Sequence, residues 1–241
     1  MLKHEQVSND IFRYIEEHDM NQGDRLPSLE TLVNTFQVSK NTVIKALNNL
    51  ETHGLIYQVR GSGIFVRGRR RKGYINLMEL QGFNSVLREF SITSKVLELK
   101  VMKPTPEVMA NLEVEADSDI YYVKRLRYIE GRVFCVEESY YNKTFVPFLN
   151  EQIASESIFS YLNTVLNLQI SFLDHFLRIN KLSPKNADYL NLKEGDPSAE
   201  IESIYYLSNG KPFDFSKVVY HYEESQFFIQ GNSYYNLLSS K

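Results

Sequence analysis

The stretch from Ser39 to Val66, S-K-N-T-V-I-K-A-L-N-N-L-E-T-H-G-L-I-Y-Q-V-R-G-S-G-I-F-V, limits the folds open to this chain more than any other. It reads as a helix, a stop and a tight β-hairpin. Ser39 suits an N-cap, its hydroxyl accepting an unpaired N–H of the first turn. Val43, Ala46, Leu47 and Leu50 recur at helical spacing and form one apolar face. Gly54 supplies the left-handed residue that ends the helix. The opposite face carries Lys40, Asn41, Ile44, Lys45 and Asn48, which offers cations for phosphates and amides for base edges, as a helix in the DNA major groove requires. Upstream, Ser28 to Phe36 spans a shorter amphipathic helix with Leu29, Leu32, Val33 and Phe36. The break at Gln37-Val38 is short enough for a helix-turn-helix. Arg60-Gly61-Ser62-Gly63 is then the tip of a wing. The DNA-contacting set expected of such a winged helix-turn-helix is Ser28, Ser39, Lys40, Asn41, Thr42, Lys45, Arg60, Gly61, Ser62 and Gly63.

At 241 residues, with 43% apolar and 13% aromatic side chains, the chain has room for two small packed domains, which excludes global disorder. Its charge is unevenly divided. Residues 1–72 hold eleven Lys/Arg against eight Asp/Glu, and the remainder sixteen against twenty-two. A basic front and an acidic rear fit a nucleic-acid module joined to a unit that does not touch nucleic acid. The single Cys135 excludes an internal disulfide and suits a reducing compartment. No apolar run is long enough for a membrane span, and M-L-K-H-E-Q at the N-terminus lacks a signal-peptide core. The expectation is a soluble cytoplasmic protein with no membrane partner.

Ahead of the helix-turn-helix, Val7, Ile11, Phe12 and Ile15 share one side of a helix over 4–18. Behind the wing, R-G-R-R-R-K-G from Arg67 to Gly73 marks a basic linker. Solvation and phosphate contact both remain open for it. These features divide the chain into a DNA-binding domain over 1–67, a basic linker over 68–76 and a second domain over 77–241. In the second domain Leu97, Leu99 and Val101 alternate with Glu98, Lys100 and Met102 as a half-buried strand. Thr105-Pro106 opens a short helix. I-Y-Y-V-K-R-L-R-Y-I, Glu130-Gly131 and R-V-F-C-V-E-E-S-Y-Y then form a hairpin. The same pattern recurs: Ser183-Pro184 opens a helix, and I-E-S-I-Y-Y-L, Asn209-Gly210 and K-P-F-D-F-S-K-V-V-Y-H-Y form a second hairpin. Pro106 and Pro184 lie 78 residues apart and Gly131 and Gly210 79 apart, so the repeat keeps its register. The fold class expected is two-domain α+β, a winged helix-turn-helix followed by a pseudo-symmetric domain with one antiparallel sheet. Between the copies, Ile158, Tyr161, Leu162, Val165 and Leu166 mark an amphipathic helix.

Most chemical motifs have a plain structural reading. Gly61-Ser62-Gly63 lacks the Lys-Ser/Thr of a phosphate-binding loop. The five histidines, His4, His18, His53, His175 and His221, have no metal-ligand spacing, so no metal and no cofactor are expected. Ser139 and Ser216 lie in strands, outside any nucleophile-elbow context. Glu137 and Glu138 point to opposite faces of one strand and form no acid/base pair. No catalytic residue is assigned. Arg125 and Arg127 differ, because residues two apart on a strand share a face, here with Val123 and Ile129. Such a face either lies at a solvated rim or serves an anion.

These residues also resemble a known family. R-L-P-S at 25–28, V-S-K-N-T-V at 38–43, A-L at 46–47, L-E-T-H-G-L-I at 50–56 and G-S-G-I-F-V at 61–66 resemble the GntR family of bacterial transcription regulators. R-L-R at 125–127, E-G-R at 130–132, E-E-S-Y at 137–140 and S-I-F at 157–159 resemble the effector (UTRA) domain of its HutC branch, which has a chorismate-lyase-like fold. The resemblance implies a homodimer that binds a short palindromic DNA operator, governed by a small metabolite that is often a phosphorylated sugar. A repressor of a carbohydrate-utilisation operon is the leading expectation. A regulator with a non-phosphorylated effector and an enzyme of the same rear fold are the alternatives. The family has arginines where this chain has Lys40, Ile44 and, after Pro27-Ser28, Leu29-Glu30. Fewer side chains are then available for bidentate contact with guanine, and an A·T-rich palindrome is expected.

The effector set expected is Asn84, Arg125, Arg127, Glu137, Ser157, Phe159 and Tyr220, with the arginines on a phosphate and Glu137 on sugar hydroxyls. Phe159 stands where the family often has tyrosine. Whether Glu137 can join the arginines turns on the loop at Glu130-Gly131. A two-residue loop sets Arg125 opposite Val136 and sends Glu137 to the other face. A three-residue loop ending in a left-handed glycine brings 125 near 135 or 137, and this is the loop expected.

Overall fold

The structure, a computed structural model, describes residues 2–67, 73–78 and 90–229. Asn84 and most of the basic linker, residues 68–72, lie outside the described residues. The described residues fall into two compact units, one holding 2–67 and the other those from 73 to 229.

The first unit has helices α1 (Lys3–Glu17), α2 (Leu29–Phe36) and α3 (Lys40–Thr52) and a hairpin of β1 (Ile56–Val59) and β2 (Gly63–Val66). Val7 and Ile11 of α1, Leu32 of α2, and Val43, Ala46, Leu47 and Leu50 of α3 meet in one core, closed by Ile56, Ile64 and Val66 of the hairpin. Helices α2 and α3 start in the same way. The hydroxyls of Ser28 and Ser39 accept from the backbone N–H of Thr31 and Thr42, each at 3.2 Å. Gln37 then adopts a left-handed backbone that ends α2, and this gives the tight turn. Thus the winged helix-turn-helix read from the sequence is the fold of this unit.

The second unit is built on a six-stranded antiparallel sheet in the order β4-β5-β6-β9-β8-β7, where β4 is Ile92–Met102, β5 Ile120–Ile129, β6 Arg132–Asn142, β7 Ile170–Lys181, β8 Pro197–Leu207 and β9 Pro212–His221. The repeat is visible in the topology. Each copy contributes a strand, a short helix and a hairpin, and the two meet where Ser139 of β6 pairs with Ser216 of β9. The helices α4 (Pro106–Leu112) and α7 (Pro184–Leu190) have matching starts, with Thr105 and Ser183 as side-chain caps and proline in the first turn. Both copies also carry the same irregularity. In the first hairpin Tyr128 pairs with Val133 but Arg127 with Cys135, so Phe134 is a bulge residue. In the second, Tyr206 pairs with Pro212 but Tyr205 with Asp214, so Phe213 is the bulge. Between the copies lie α5 (Glu151–Ser155) and α6 (Ile158–Thr164), over the sheet face that carries Val123, Tyr141 and Phe213.

Three expectations need correction. Tyr74–Asn76, placed in the linker, forms β3 and pairs in parallel with β10 (Gln226–Phe228), burying Ile75. Val101 is 45% exposed, although it shares a face with Leu99 along a regularly paired stretch of β4. Val165 is also exposed, lying just past the end of α6 rather than on its apolar face.

Gly63 shows why the wing needs glycine at that position. Its φ is +133°, and an added Cβ would stand 2.8 Å from the Arg25 Nε. Gly63→Ala is therefore expected to destabilise the N-terminal unit by roughly 1–2 kcal/mol through backbone strain. The check is the denaturant midpoint of that unit.

Candidate functional site

On the first unit, Lys40, Asn41, Lys45 and Asn48 are all exposed along one side of α3, opposite its buried Val43 and Leu47. Ile44, on the same side, is 36% exposed and packs into no core. Ser28 and Ser39 engage their side-chain oxygens in capping α2 and α3. Thr42 is half-buried and its hydroxyl lies 2.8 Å from that of Ser39. Arg60, Gly61 and Ser62 are exposed at the wing tip. Two further contributors escaped the sequence reading. Arg25 bridges to Phe65 of β2 and packs its guanidinium over Gly63. Glu51 ties the wing to α3, accepting from the Gln58 backbone N–H and side-chain amide at 2.9 Å each.

On the second unit, the sheet face beneath α5 and α6 is polar where an apolar core would be ordinary. Successive rows run across the strands. Arg127, Cys135, Tyr220 and Ala199 form one; Arg125, Glu137, Val218 and Ile201 the next. Then come Val123, Ser139, Ser216 and Ser203, followed by Tyr121, Tyr141, Asp214 and Tyr205. The Phe134 bulge sets this register. The loop at Glu130-Gly131 has two residues, since Ile129 pairs with Arg132, and both loop residues have positive φ. The three-residue loop expected there is thus wrong. Its consequence nevertheless holds, because the bulge supplies the one-residue shift that the loop was expected to supply. Arg125 pairs with Glu137, on the same face.

The contacts within that face are close. Arg125 donates from Nη2 to Glu137 Oε1 at 2.9 Å, from Nε to Oε2 at 3.2 Å and from Nη1 to the carbonyl of Ala154 at 2.8 Å. Arg127 donates from Nε to Glu137 Oε2 at 2.5 Å. The Ser139 hydroxyl donates to Glu137 Oε1 at 3.0 Å. Arg125 is 1% exposed and Arg127 5%, so both charges lie out of water. Ser157, three residues past Ala154, caps α6, its Oγ accepting from the Ser160 N–H. Phe159 is buried, its ring edge-to-face on Tyr205 at 4.7 Å. Tyr220 is buried between Phe134 and Phe227. Arg125, Arg127 and Glu137 are therefore in direct contact. Tyr220 joins them through its place in the Arg127 row, while Phe159 packs at the Tyr205 end of the face.

Asp214 was missed. Alternation along β9 from Tyr220 through Val218 and Ser216 places it on this face, because the pairing is regular from 220 to 214. Asp214 is fully buried; its Oδ1 accepts from the Ser216 hydroxyl at 2.8 Å and its Oδ2 finds no hydrogen-bond partner. The two acids on this face are driven apart. Burial raises the Glu137 carboxyl, but the charges and hydrogen bonds of Arg125 and Arg127 outweigh it and hold the group ionised, well below the usual range. Burial pushes Asp214 well above its ordinary value, against the Ser216 hydrogen bond and with the Glu137 charge adding to the rise. His175, whose Nδ1 lies 2.8 Å from the Ser203 hydroxyl, is pushed down to about 4 by burial. Among the described residues no group of three or more His, Cys, Asp or Glu is placed to hold a metal ion.

The comparisons with known proteins agree with both halves. Residues 3–66 match the model of bacterial regulatory proteins of the gntR family, and residues 88–225 match the UTRA domain. An uncharacterized HTH-type transcriptional regulator of Bacillus subtilis, YydK, is 55% identical over 97% of this chain and 99% of its own length. The crystal structure of that possible regulator matches at a TM-score of 0.85, with 54% identity over 96% of this chain and 100% of the other. The HTH-type transcriptional regulator GmuR of B. subtilis is 30% identical over 90% of this chain and 92% of its own. The mannosyl-D-glycerate transport/metabolism system repressor MngR of Escherichia coli is 25% identical over 92% of each chain.

Two outcomes are expected from the buried charges. Glu137→Gln leaves two guanidiniums without a counter-charge and should cost about 3 kcal/mol, read from the denaturant midpoint of the second unit. Asp214 has a folded pKa above its unfolded value of about 3.9. Its protonated form therefore supports the fold fully below that value, and the support is lost as pH rises toward the folded pKa. Asp214→Asn removes this titration, so it should raise the thermal midpoint more at about pH 8 than at about pH 5. An equal effect at both would contradict a buried, protonated Asp214.

Proposed function

The chain belongs to the GntR family of bacterial regulatory proteins, with a UTRA domain behind its helix-turn-helix, and from that premise we propose that it represses a carbohydrate-utilisation operon until a phosphorylated sugar releases it. As a member of that family it is a transcription regulator that binds DNA and carries a small-molecule effector domain. The finer reading rests above all on one observation: two guanidiniums, Arg125 and Arg127, are fixed side by side on a buried sheet face by a shared carboxylate. Planar guanidiniums held in place are suited to a phosphate, and charge-assisted hydrogen bonds to them are the strong kind. A phosphate would share these donors with Glu137. The same carboxylate accepts from sugar hydroxyls, and protonated Asp214 supplies a donor on the same face. Ser157 and Tyr220 complete the ligand contacts, with Phe159 as an apolar wall and Asn84 as a further contact. The relative that represses mannosyl-D-glycerate transport and metabolism lends support to a carbohydrate-linked role.

In this reading the repressor is a cytoplasmic homodimer, and two copies of α3 enter successive major grooves of an A·T-rich palindrome. Lys40, Lys45, Arg60 and the basic segment after the wing meet phosphates, while Asn41 meets a base edge. A second reading, a non-phosphorylated effector, is favoured by the fact that Glu137 already engages both arginines.

A thermal-shift screen separates the two. A phosphosugar present at 100 times its Kd should add about 2.7 kcal/mol of stability, and the unphosphorylated sugar far less. Arg127→Lys, which keeps the charge but loses the fork, should weaken phosphosugar binding at least tenfold (about 1.4 kcal/mol). Equal shifts from both sugars would favour the second reading, and turnover of the sugar would favour an enzyme. For the DNA surface, Lys45→Ala should lower the salt slope of operator binding by about one unit. An unchanged slope and affinity would remove Lys45 from the interface.

A further inference from the structure

The wing has a third strand-like segment. The Gly23 N–H donates to the Val66 carbonyl, the Val66 N–H to the Asp24 carbonyl and the Leu26 N–H to the Ile64 carbonyl, each at 2.9 Å. Residues 23–26 therefore run beside β2, and Arg25 pairs antiparallel with Phe65. Side chains alternate along such a segment. Leu26 points inward, 3% exposed within the core of the unit, which sends Arg25 to the outer face with Gly63, Phe65 and Tyr57. The Tyr57 and Phe65 rings stack on that face, 5.4 Å apart.

The guanidinium of Arg25 lies over Gly63. A Cβ on that glycine would meet Nε at 2.8 Å, Nη2 at 3.2 Å and Cζ at 3.3 Å, so the planar group covers the place where another residue would carry its side chain. Gly63 directly follows Arg60-Gly61-Ser62, and the charge is thus held beside the exposed tip of the wing. Arg25 is exposed, and among the described residues no carboxylate is in ion-pair contact with it. Cations of the second unit differ in this respect, since Lys124, Arg125, Arg127 and Arg132 each hold a carboxylate. The paired backbone and the glycine beneath it fix where the Arg25 cation stands, while no internal carboxylate occupies its donors.

We propose that Arg25 contacts DNA, its guanidinium donating to a backbone phosphate of the operator beside the wing, with Gly63 as the seat that holds it there. The proposal rests on operator binding in the reading above and adds a residue outside the set read from the sequence. A guanidinium presents its donors as a rigid fork that matches two phosphate oxygens, and a fork already held in place loses little freedom when it binds. Its position also separates it from Arg60. Arg60 stands at the tip, where a side chain can enter a groove, whereas Arg25 stands on the outer flank one residue behind it. Contacts to phosphates from such a flank fix the orientation of the protein and carry no sequence information. Gly63 then serves recognition as well as the fold of the wing, because any side chain there would displace the cation.

The test is binding of the full chain, across a range of salt, to a duplex that the native chain selects from a random-sequence pool. Arg25→Ala should weaken binding roughly tenfold at fixed salt and lower the salt slope by about one unit for each chain bound, whatever the base pairs beside the wing. Arg25→Lys keeps the charge but not the fork, so it should keep the slope and lose part of the affinity. Gly63→Ala should weaken binding by the native chain and add no further loss to Arg25→Ala; additive losses overturn the seat. The thermal midpoint of the first unit reads a purely structural role. If Arg25→Ala lowers that midpoint but leaves affinity and slope unchanged, Arg25 only braces the wing and the proposal is overturned. A loss confined to one base pair overturns the phosphate contact in favour of base reading. A native chain that selects no duplex overturns operator binding and the proposal with it.

Discussion

Two arginine side chains lie within the second domain, almost wholly out of water, and one carboxylate serves them both. The rest of that domain is arranged around the contact between Glu137, Arg125 and Arg127. A buried guanidinium without a partner is too costly for a domain of ordinary stability, since breaking such a pair costs about 3–5 kcal/mol. The sheet therefore has to bring residue 137 opposite residue 125, and the two-residue turn at Glu130-Gly131 alone would not do so. The extra residue at Phe134 does, and its ring fills the space beside Tyr220. The third donor position of Arg125 is met by the carbonyl that ends α5, which ties the helical cover to the sheet at the same place.

Much of this architecture can be read in the chain. The helix-turn-helix is legible because each of its parts has a local cause: serine caps at 28 and 39, an apolar stripe on α3, and glycines where the backbone turns left-handed. The repeat is legible because Pro106 and Pro184, and Gly131 and Gly210, mark the same local events twice. The register of the rear hairpin is not. A bulge is chosen by the packing of Phe134 against residues far away in the chain, including Tyr220, and no local signal announces it. The turn itself could be read, since two residues of positive φ suit a tight hairpin, yet the expectation assigned the shift to the loop. Asp214, by contrast, was legible by alternation, six residues before Tyr220 on a stretch of strand whose pairing is regular between them. The arginines were legible as a pair from their spacing, and their shared partner only from the register.

The two units solve different problems. In the DNA-binding unit the charged groups stand outside the core, whose buried polar side chain, Ser8, donates to the Ala46 carbonyl, so changes on the outer face of α3 have little effect on the fold. In the effector unit charged groups lie buried beside its apolar clusters. In the proposed reading, a ligand anion that enters there would change the balance of a buried ion cluster, and would reach the packing of α5 through the bond of Arg125 to the Ala154 carbonyl. Coupling between ligand and operator requires differential affinity for two states of the protein, and the cluster is the element best placed to provide it.

The most direct measurement is operator affinity, by fluorescence anisotropy at fixed salt, with and without a saturating phosphosugar. The account predicts a shift of about 5- to 150-fold, matched by an equal change in phosphosugar affinity when operator is added. It also predicts that the shift disappears in Arg127→Lys at the same sugar concentration. An operator affinity that no phosphosugar changes, in a chain that demonstrably binds one, would contradict it.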